Sequence, residues 1–509
     1  MKSLIKGIAL LVLLLLIYGA GVYARCASFI IRGHSYDEPF SIENAQHARH
    51  ARMIAEGIAI PRYETRLQYP DGYDTRQDTI VEEYVAGWIY RIFPLKHIPF
   101  DAFIHSFVPF LFCIGIFGIY GITKEVSHSE TGGLFAAAFY AVTMASIERS
   151  MGDTFIREHL AIPLLTFCLW FMVRAFDKGK WRDYLISGIL YFVALSSWRI
   201  MNFFTLLLFG FFAFVYLFNP CRKEALRMLV TLTACIIVGA FVFDTSIRYD
   251  QFLFSKQMAI AYAVIVIAGI NSWRRLGVWK NIGLFVILMG GWTLLVPSNE
   301  LYRHAWETLF FQLRYLGVKP AEPSLLSFDA RHLWTPPFVS PELLRFWNDE
   351  AAPIALAGYG IVVALRECRK HRASLSLPLV LYLLATLFAY YLLSFRFETF
   401  VIVFLSVFIG YGLVNPVREL CSLTVCADCG IEPPSARNLV YHRLKSVAFS
   451  NGVKALHRPR KSQAVTLVAL LLMGLIFQIY QVLTWTDSAW FKLLLSLDIK
   501  PREYTKADP

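Results

Sequence analysis

Along this chain the apolar residues run together in long blocks, and the polar residues collect in the gaps between them. About thirteen blocks are long enough, or nearly so, to cross a hydrocarbon core that takes roughly 20 residues of α-helix. They fall at 4–23, 100–122, 133–149, 159–175, 183–200, 202–219, 227–245, 252–270, 281–297, 352–366, 376–394, 397–415 and 465–486. This pattern predicts an all-α, polytopic integral membrane protein embedded in the lipid bilayer. The first block follows Lys2 and Lys6 and ends near Val22-Tyr23-Ala24, which has the small residue of a secretory cleavage site. Its apolar core is longer than a signal peptide's and further spans come after it, so it reads as a retained anchor.

The gaps assign an orientation. With the N-terminus in the cytoplasm, the inner connections carry Lys124, then Arg174, Lys178, Lys180 and Arg182, then Arg222, Lys223 and Arg227. Further along they carry Arg274, Arg275 and Lys280, then Arg366, Arg369, Lys370 and Arg372, and finally the basic stretch 416–464. All are basic, as the positive-inside rule asks. The other face receives two long loops, 24–99 and 298–351, the short link 150–158, the turn from Ser394 to Glu398, and the tail 488–509. Residues 1–487 then form one transmembrane domain.

Composition strengthens this reading. The chain is 57% hydrophobic and 16% aromatic, more apolar surface than a soluble core of its 509 residues would hide. Its net charge of +12 is explained by the inner loops, and no nucleic-acid-binding motif accompanies it.

Candidate chemistry gathers in the outer segments. Gly33-His34-Ser35-Tyr36-Asp37-Glu38-Pro39-Phe40 places two carboxylates just past the first span. They read either as hard oxygen ligands for a divalent cation such as Mg²⁺ or Mn²⁺, or as solvated or helix-capping charges. The link Glu148-Arg149-Ser150-Met151-Gly152-Asp153-Thr154-Phe155-Ile156-Arg157-Glu158-His159 is charge-dense and squeezed between two spans, which marks either a functional turn or an interfacial loop. His159 reads as a ligand, a proton carrier or a hydrogen-bonded wall residue. Arg396, between two late spans, offers the planar fork that suits a diphosphate, or else anchors the helix or pairs with Glu398. Cys426 and Cys429, with Cys421, His442 and His457, have the ingredients of a zinc site or are plain reduced thiols of a cytoplasmic loop.

These motifs carry a resemblance. Tyr-Asp-Glu-Pro-Phe past the first span, with Gly57-Ile58-Ala59-Ile60-Pro61 and Tyr69-Pro70-Asp71-Gly72, resembles the first outer loop of the oligosaccharyltransferase catalytic subunits. Arg149-Ser150-x-Gly152 with the acidic residues after it, Ala-Ile-Pro-Leu-Leu and Phe-x-Leu-Trp-Phe resembles their second acidic motif. The likeness spans the membrane region and implies a GT-C architecture with two large outer loops, facing the non-cytoplasmic side. It implies transfer of a glycan from a polyprenyl-diphosphate carrier to an acceptor polypeptide, at asparagine. A hydroxyl or lipid acceptor, or a transporter or flippase, stands as the alternative. A prokaryotic cell membrane is expected in preference to the endoplasmic reticulum.

Residue by residue, the resemblance makes Asp37 a metal ligand and Glu158 the second acid of the second motif. The motif's first acidic position falls on Ile156, which cannot ligate a metal, so Asp153 stands in for it. Asp37, Glu158 and Glu322 are then the catalytic candidates, with Glu342 behind Glu322, and Glu38, His159 and Arg396 bind substrate. The family also continues into an outer soluble domain carrying Trp-Trp-Asp, a sequence that does not occur in this chain. A partner subunit is therefore expected to supply that domain.

Overall fold

In the computed structural model the apolar blocks are helices. The structure describes residues 2–67, 70–93, 97–243, 245–249, 251–296, 307, 310–316, 318–333, 340–341, 346, 351–370 and 374–429. The main elements are α1 (Lys2–Ile31), α2 (Ile42–Glu56), α3 (Val81–Ile92), α4 (Phe100–Cys113), α5 (Gly115–Ser127), α6 (Glu130–Val142) and α7 (Met144–Ile147). They continue as α8 (Glu158–Lys178), α9 (Trp181–Ser197), α10 (Met201–Phe218), α11 (Lys223–Val242), α12 (Ser246–Tyr249), α13 (Lys256–Trp273) and α14 (Val278–Leu295). Last come α15 (Ala351–Lys370), α16 (Ser376–Leu393) and α17 (Glu398–Cys429). The first loop adds a two-stranded antiparallel hairpin that pairs Tyr63 with Asp74 and Glu64 with Tyr73.

Nine of the described helices are long and apolar enough to cross a bilayer, so the membrane class stands while the count of thirteen stays an expectation. The block at 465–486 lies outside the described residues, as do His442, His457 and Glu342. Helix α17 runs on to Cys429, through the start of the stretch expected as a loop from 416, and the side chains of Cys421, Cys426 and Cys429 are not described.

The bundle has a centre and a rim. In the apolar window Phe395–Val414, 94% of residues are buried, against 6% in Val278–Leu295, so α17 is the core helix and α14 a lipid-facing one. Around α17 pack α5, α6, α15 and α16, and α8 joins α5 to α9. Close crossings use small residues, as membrane helices do when backbones approach. A Cβ added at Gly360 of α15 would overlap the carbonyl of Phe408 on α17.

Two differences from the sequence reading share one cause. The first span was expected to end at Tyr23, before a charge, yet α1 continues to Ile31 with Arg25 fully buried inside it. The guanidinium donates to Ser150 Oγ at 2.7 Å, Ser146 Oγ at 2.5 Å, Ala141 O at 3.0 Å and Gly21 O at 2.9 Å. The Phe112 ring lies 5.5 Å from it. A buried arginine is tolerated because its N–H groups are consumed by the protein rather than left facing hydrocarbon. The loop expected from residue 24 therefore begins later, and it carries a folded subdomain. Helices α2 and α3 close over α4 through a core of Ala48, Ala51, Ala86, Phe103 and Phe107, into which Phe155 of the second motif inserts.

Removing the Arg25 side chain leaves two buried hydroxyls without their donor. Arg25→Met is expected to destabilise the chain by about 3 kcal/mol, read as a lowered melting temperature in detergent, with Arg25→Lys intermediate. An Arg25→Met melting temperature equal to the parent's would show that these bonds do not hold the helices together.

A candidate active site at one end of the bundle

Three helix ends and the first loop converge where the two acidic motifs meet. Glycine is required at the turn of the second motif: Gly152 has φ of 102°, and an added Cβ would overlap the carbonyl oxygen of His105. That carbonyl lies four residues before Pro109, which has no N–H to bond it, so α4 offers a bare polar notch and the turn packs into it. His105 is buried, and its ring reaches both motifs. Nδ1 lies 2.6 Å from Gly152 O and Nε2 lies 2.9 Å from Glu38 O. Phe40 stacks on this ring at 4.3 Å. One side chain of α4 thus ties the main chain of the first acidic motif to that of the second.

The expected residues divide around this tie. Asp37 and Glu38 are exposed beside it. Glu38 accepts from His34 Nδ1 at 3.1 Å, and that bond holds its carboxyl below the usual range. Asp153 has one buried carboxylate oxygen with no hydrogen-bond partner among the described residues. Glu158, at the start of α8, is 1% exposed and accepts from Arg149 Nε at 2.8 Å. The Arg396 guanidinium lies 5.8 Å from the Trp198 ring and within electrostatic reach of Glu158, Glu43, Arg149 and Arg157. Glu398 is buried within reach of Arg149.

His159 is engaged inside the fold. Its Nδ1 accepts from Ile156 N at 3.3 Å and its Nε2 donates to Arg149 O at 2.8 Å, so the network selects the Nε2–H tautomer. Glu322 stands apart: it is exposed, and its carboxylate accepts from Ser324 Oγ at 2.6 Å. Asp37, Asp153 and Glu158 do not assemble into a ligand set, and among the described residues no group of three His, Cys, Asp or Glu side chains is placed to hold a metal ion.

A buried polar cluster that the sequence reading did not identify joins the first loop to the second motif. Glu82 and Glu83 on α3 are each 1% exposed. His47 Nδ1 on α2 lies 2.7 Å from Glu83 Oε1, an ion pair out of line for a hydrogen bond. Glu82 faces His159 at 3.6 Å and accepts from Leu160 N at 3.3 Å. Arg157 reaches Asp78 at 3.0 Å, and Asp78 also accepts from Gln46 at 2.8 Å and Tyr73 at 2.9 Å. The adjacent acids differ in environment. Burial pushes the Glu82 carboxyl up, which suits a group facing the lone pair of His159. Burial acts on Glu83 too, but His47 and Arg157 outweigh it and hold that carboxyl down. Burial alone would lower the His47 imidazole; Glu43 and Glu83 on either side push it up to about 9.

Known proteins bear on this geometry. Residues 84–247 match the family described as dolichyl-phosphate-mannose-protein mannosyltransferase. Over 92 residues the chain is 29% identical to the dolichyl-diphosphooligosaccharide–protein glycosyltransferase subunit STT3 of Saccharomyces cerevisiae, covering 18% of this chain and 13% of that one. The apo crystal structure of the Archaeoglobus fulgidus oligosaccharyltransferase superposes with a TM-score of 0.66 at 15% identity, covering 97% of this chain and 58% of that one. The same archaeal enzyme, AglB, in complex with an inhibitory peptide and a dolichol-phosphate, gives a TM-score of 0.64 at 14% identity over 96% of this chain and 58% of that one. The resemblance read from the motifs therefore holds: the chain has the fold of the membrane region of oligosaccharyltransferase catalytic subunits, and it spans little more than half the length of the archaeal protein.

The raised His47 value sets a pH window. Its contribution to holding α2 against α3 within the first loop is fully present below the unfolded-state value of 6.5 and is lost as pH rises through about 9. Hydrogen exchange of α2 amides, corrected for intrinsic rates, is expected to lose protection between pH 6.5 and 9.5, and His47→Gln is expected to be less protected and flat across that window. Equal slopes in both proteins would remove His47 from the contact between α2 and α3.

Proposed function

We propose that this chain is a membrane glycosyltransferase that moves a glycan from a polyprenyl-diphosphate carrier to an acceptor, with protein asparagine as the acceptor of first choice. One juxtaposition carries this reading: the His105 ring lies between main-chain carbonyls of both acidic motifs, in the same region where Arg396 stands within electrostatic reach of Glu158. The shared fold and the STT3-like segment point the same way. The site end is proposed to face away from the cytoplasm. The opposite end gathers the lysines of the expected inner loops, where Lys6 pairs with Glu130 and Lys178 with Glu125, each at 2.7 Å.

The reaction is a substitution at the anomeric carbon. The acceptor's N–H or O–H is oriented by the exposed Asp37, with Glu38 beside it. The acceptor atom forms the new bond to carbon while the bond from carbon to the diphosphate oxygen breaks. Arg396 takes up the negative charge that develops on the leaving diphosphate, as a preorganised guanidinium does best in a site of low dielectric. The acceptor's proton leaves to Asp37. Glu158, held by Arg149, and His159, held by backbone, act as rigid walls that position this arginine and the turn. Glu322, on the second long loop, is proposed to close over bound acceptor as that loop orders. Mg²⁺ or Mn²⁺ at Asp37, Asp153 and Glu158 was the expected cofactor; because those residues are not assembled as ligands, no step is routed through a cation. A partner subunit bearing the outer domain stays an expectation that no described residue bears on.

A hydroxyl or lipid acceptor would leave the donor side unchanged. Purified chain in liposomes, given polyprenyl-diphosphate glycan and a peptide containing Asn-x-Thr, is expected to release polyprenyl diphosphate and yield glycopeptide. Asp37→Ala is expected to cut turnover at least 100-fold. Arg396→Lys is expected to cost about tenfold or more through the loss of bidentate contact. Full turnover in Asp37→Ala, or movement of lipid without covalent product, would overturn the transferase reading.

A further inference from the structure

The basic residues at the end of the bundle away from the candidate site are not all alike. Lys178 pairs with Glu125 at 2.7 Å, and Arg174 and Arg182 flank Asp183 at 3.3 and 3.9 Å. The turn from α13 to α14, Trp273-Arg274-Arg275-Leu276-Gly277-Val278-Trp279-Lys280, lacks such compensation. The stretch 251–299 holds no Asp or Glu, and among the described residues no acid from elsewhere pairs with Arg274, Arg275 or Lys280. All three cations are exposed.

Two tryptophans frame these charges and stand clear of the fold: Trp273 is 94% exposed and Trp279 83%. Rings so bare suit the headgroup level of a bilayer, where the indole N–H stays wet while the ring meets acyl chains. Position agrees. The short helix α12, which leads into α13, packs against Thr75–Gln77 of the first loop, on the side of the candidate site. The 18 residues of α13 span about 27 Å, close to the thickness of a hydrocarbon core. The turn therefore emerges at the opposite surface. Helix α14 then returns through lipid, with only 6% of its apolar window buried, and Trp292 near its far end donates to Phe254 O at 3.1 Å. A helix with tryptophan towards each end and acyl chains between them brings its tip up among headgroups.

The turn is braced from both helices. Asn271 donates to Asn281 Oδ1 at 3.0 Å and accepts from Leu276 N at 2.9 Å, and Asn281 is fully buried. Like charges are thus gathered on a fixed backbone before any ligand arrives, which lowers the entropy lost on binding one.

We propose that the turn between α13 and α14 binds the headgroup phosphate of an anionic phospholipid. The arginine forks match phosphate oxygens in pairs, Lys280 adds a point charge, and the two indoles take the glycerol and the upper acyl chain. An acidic protein segment would answer the cations and leave the indoles and the bare face of α14 uncovered; a lipid answers both. Detergent-purified full-length chain is titrated with phosphatidylglycerol and with phosphatidylcholine, and bound lipid is counted by native mass spectrometry. Phosphatidylglycerol is expected to bind more tightly, by about fivefold for each cation engaged. Arg275→Gln is expected to lose about fivefold of that preference. The variant combining Arg274→Gln, Arg275→Gln and Lys280→Gln is expected to lose all of it, with the melting temperature unchanged because these side chains are exposed. Brominated phosphatidylglycerol is expected to quench the parent's tryptophan fluorescence more than that of a variant combining Trp273→Phe and Trp279→Phe, a readout that serves if the charge variant fails to fold.

Equal affinity of the parent chain for the two lipids, a preference that survives the triple substitution, or equal quenching with and without the two tryptophans would overturn the site. Binding of a polyglutamate peptide or of inorganic phosphate as tightly as phosphatidylglycerol would overturn the lipid as its occupant, in favour of an acidic protein segment or a free anion.

Discussion

In a bilayer a polar group at a helix end has no water to fall back on, and this bundle is organised by that demand. Arg25 sits inside the first helix only because Ser146, Ser150 and two carbonyls accept its protons. The same bonds fix the helix α7 and the turn after it. That turn fits the carbonyl freed by Pro109, and His105 carries the connection on to Glu38. Two motifs more than a hundred residues apart are thereby set by one chain of buried polar contacts, with the apolar seam of α17 holding the helices that deliver them.

The cluster beneath the first loop extends this logic to the aqueous side. Glu82 and Glu83 are neighbours in sequence, yet they face different partners: Glu82 meets His159 and Glu83 meets Arg157, both of the second motif, while His47 holds Glu83 from within the loop. The loop is thus a docked lid over α4 rather than a tether. Its Asp78 is buried against Arg157, so the loop also grips the residue that leads into the second motif.

Much of this was legible in the sequence, and the part that was not has a physical reason. Long apolar blocks separated by basic gaps gave the membrane helices, because hydropathy is a property of neighbours along the chain. The two motifs and Arg396 came from the family resemblance, and their placement at one end from the alternation of spans. Arg25 was read as the end of a span because a lone charge looks like a boundary until its acceptors, more than a hundred residues away, are known. His105 gave no local signal, being one histidine in an apolar helix. Glu82 and Glu83 were overlooked among the acids of a long loop, although an acid pair on a helix with a pronounced apolar face was a readable sign of burial. The metal ligands stay an expectation from the resemblance: among the described residues no three acidic, histidine or cysteine side chains group to hold an ion, and Glu158 is engaged by Arg149.

The proposed reading, a donor lipid held by its diphosphate at Arg396 with glycan and acceptor meeting at the two motifs, joins these observations. The most direct test is made in cells that express the chain and in otherwise identical cells that lack it, by mass spectrometry of intact glycopeptides from their secreted proteins. The account predicts asparagine-linked glycans in the first and their loss in the second, with the lipid-linked glycan accumulating. An unchanged glycan profile together with an unchanged lipid pool would contradict it.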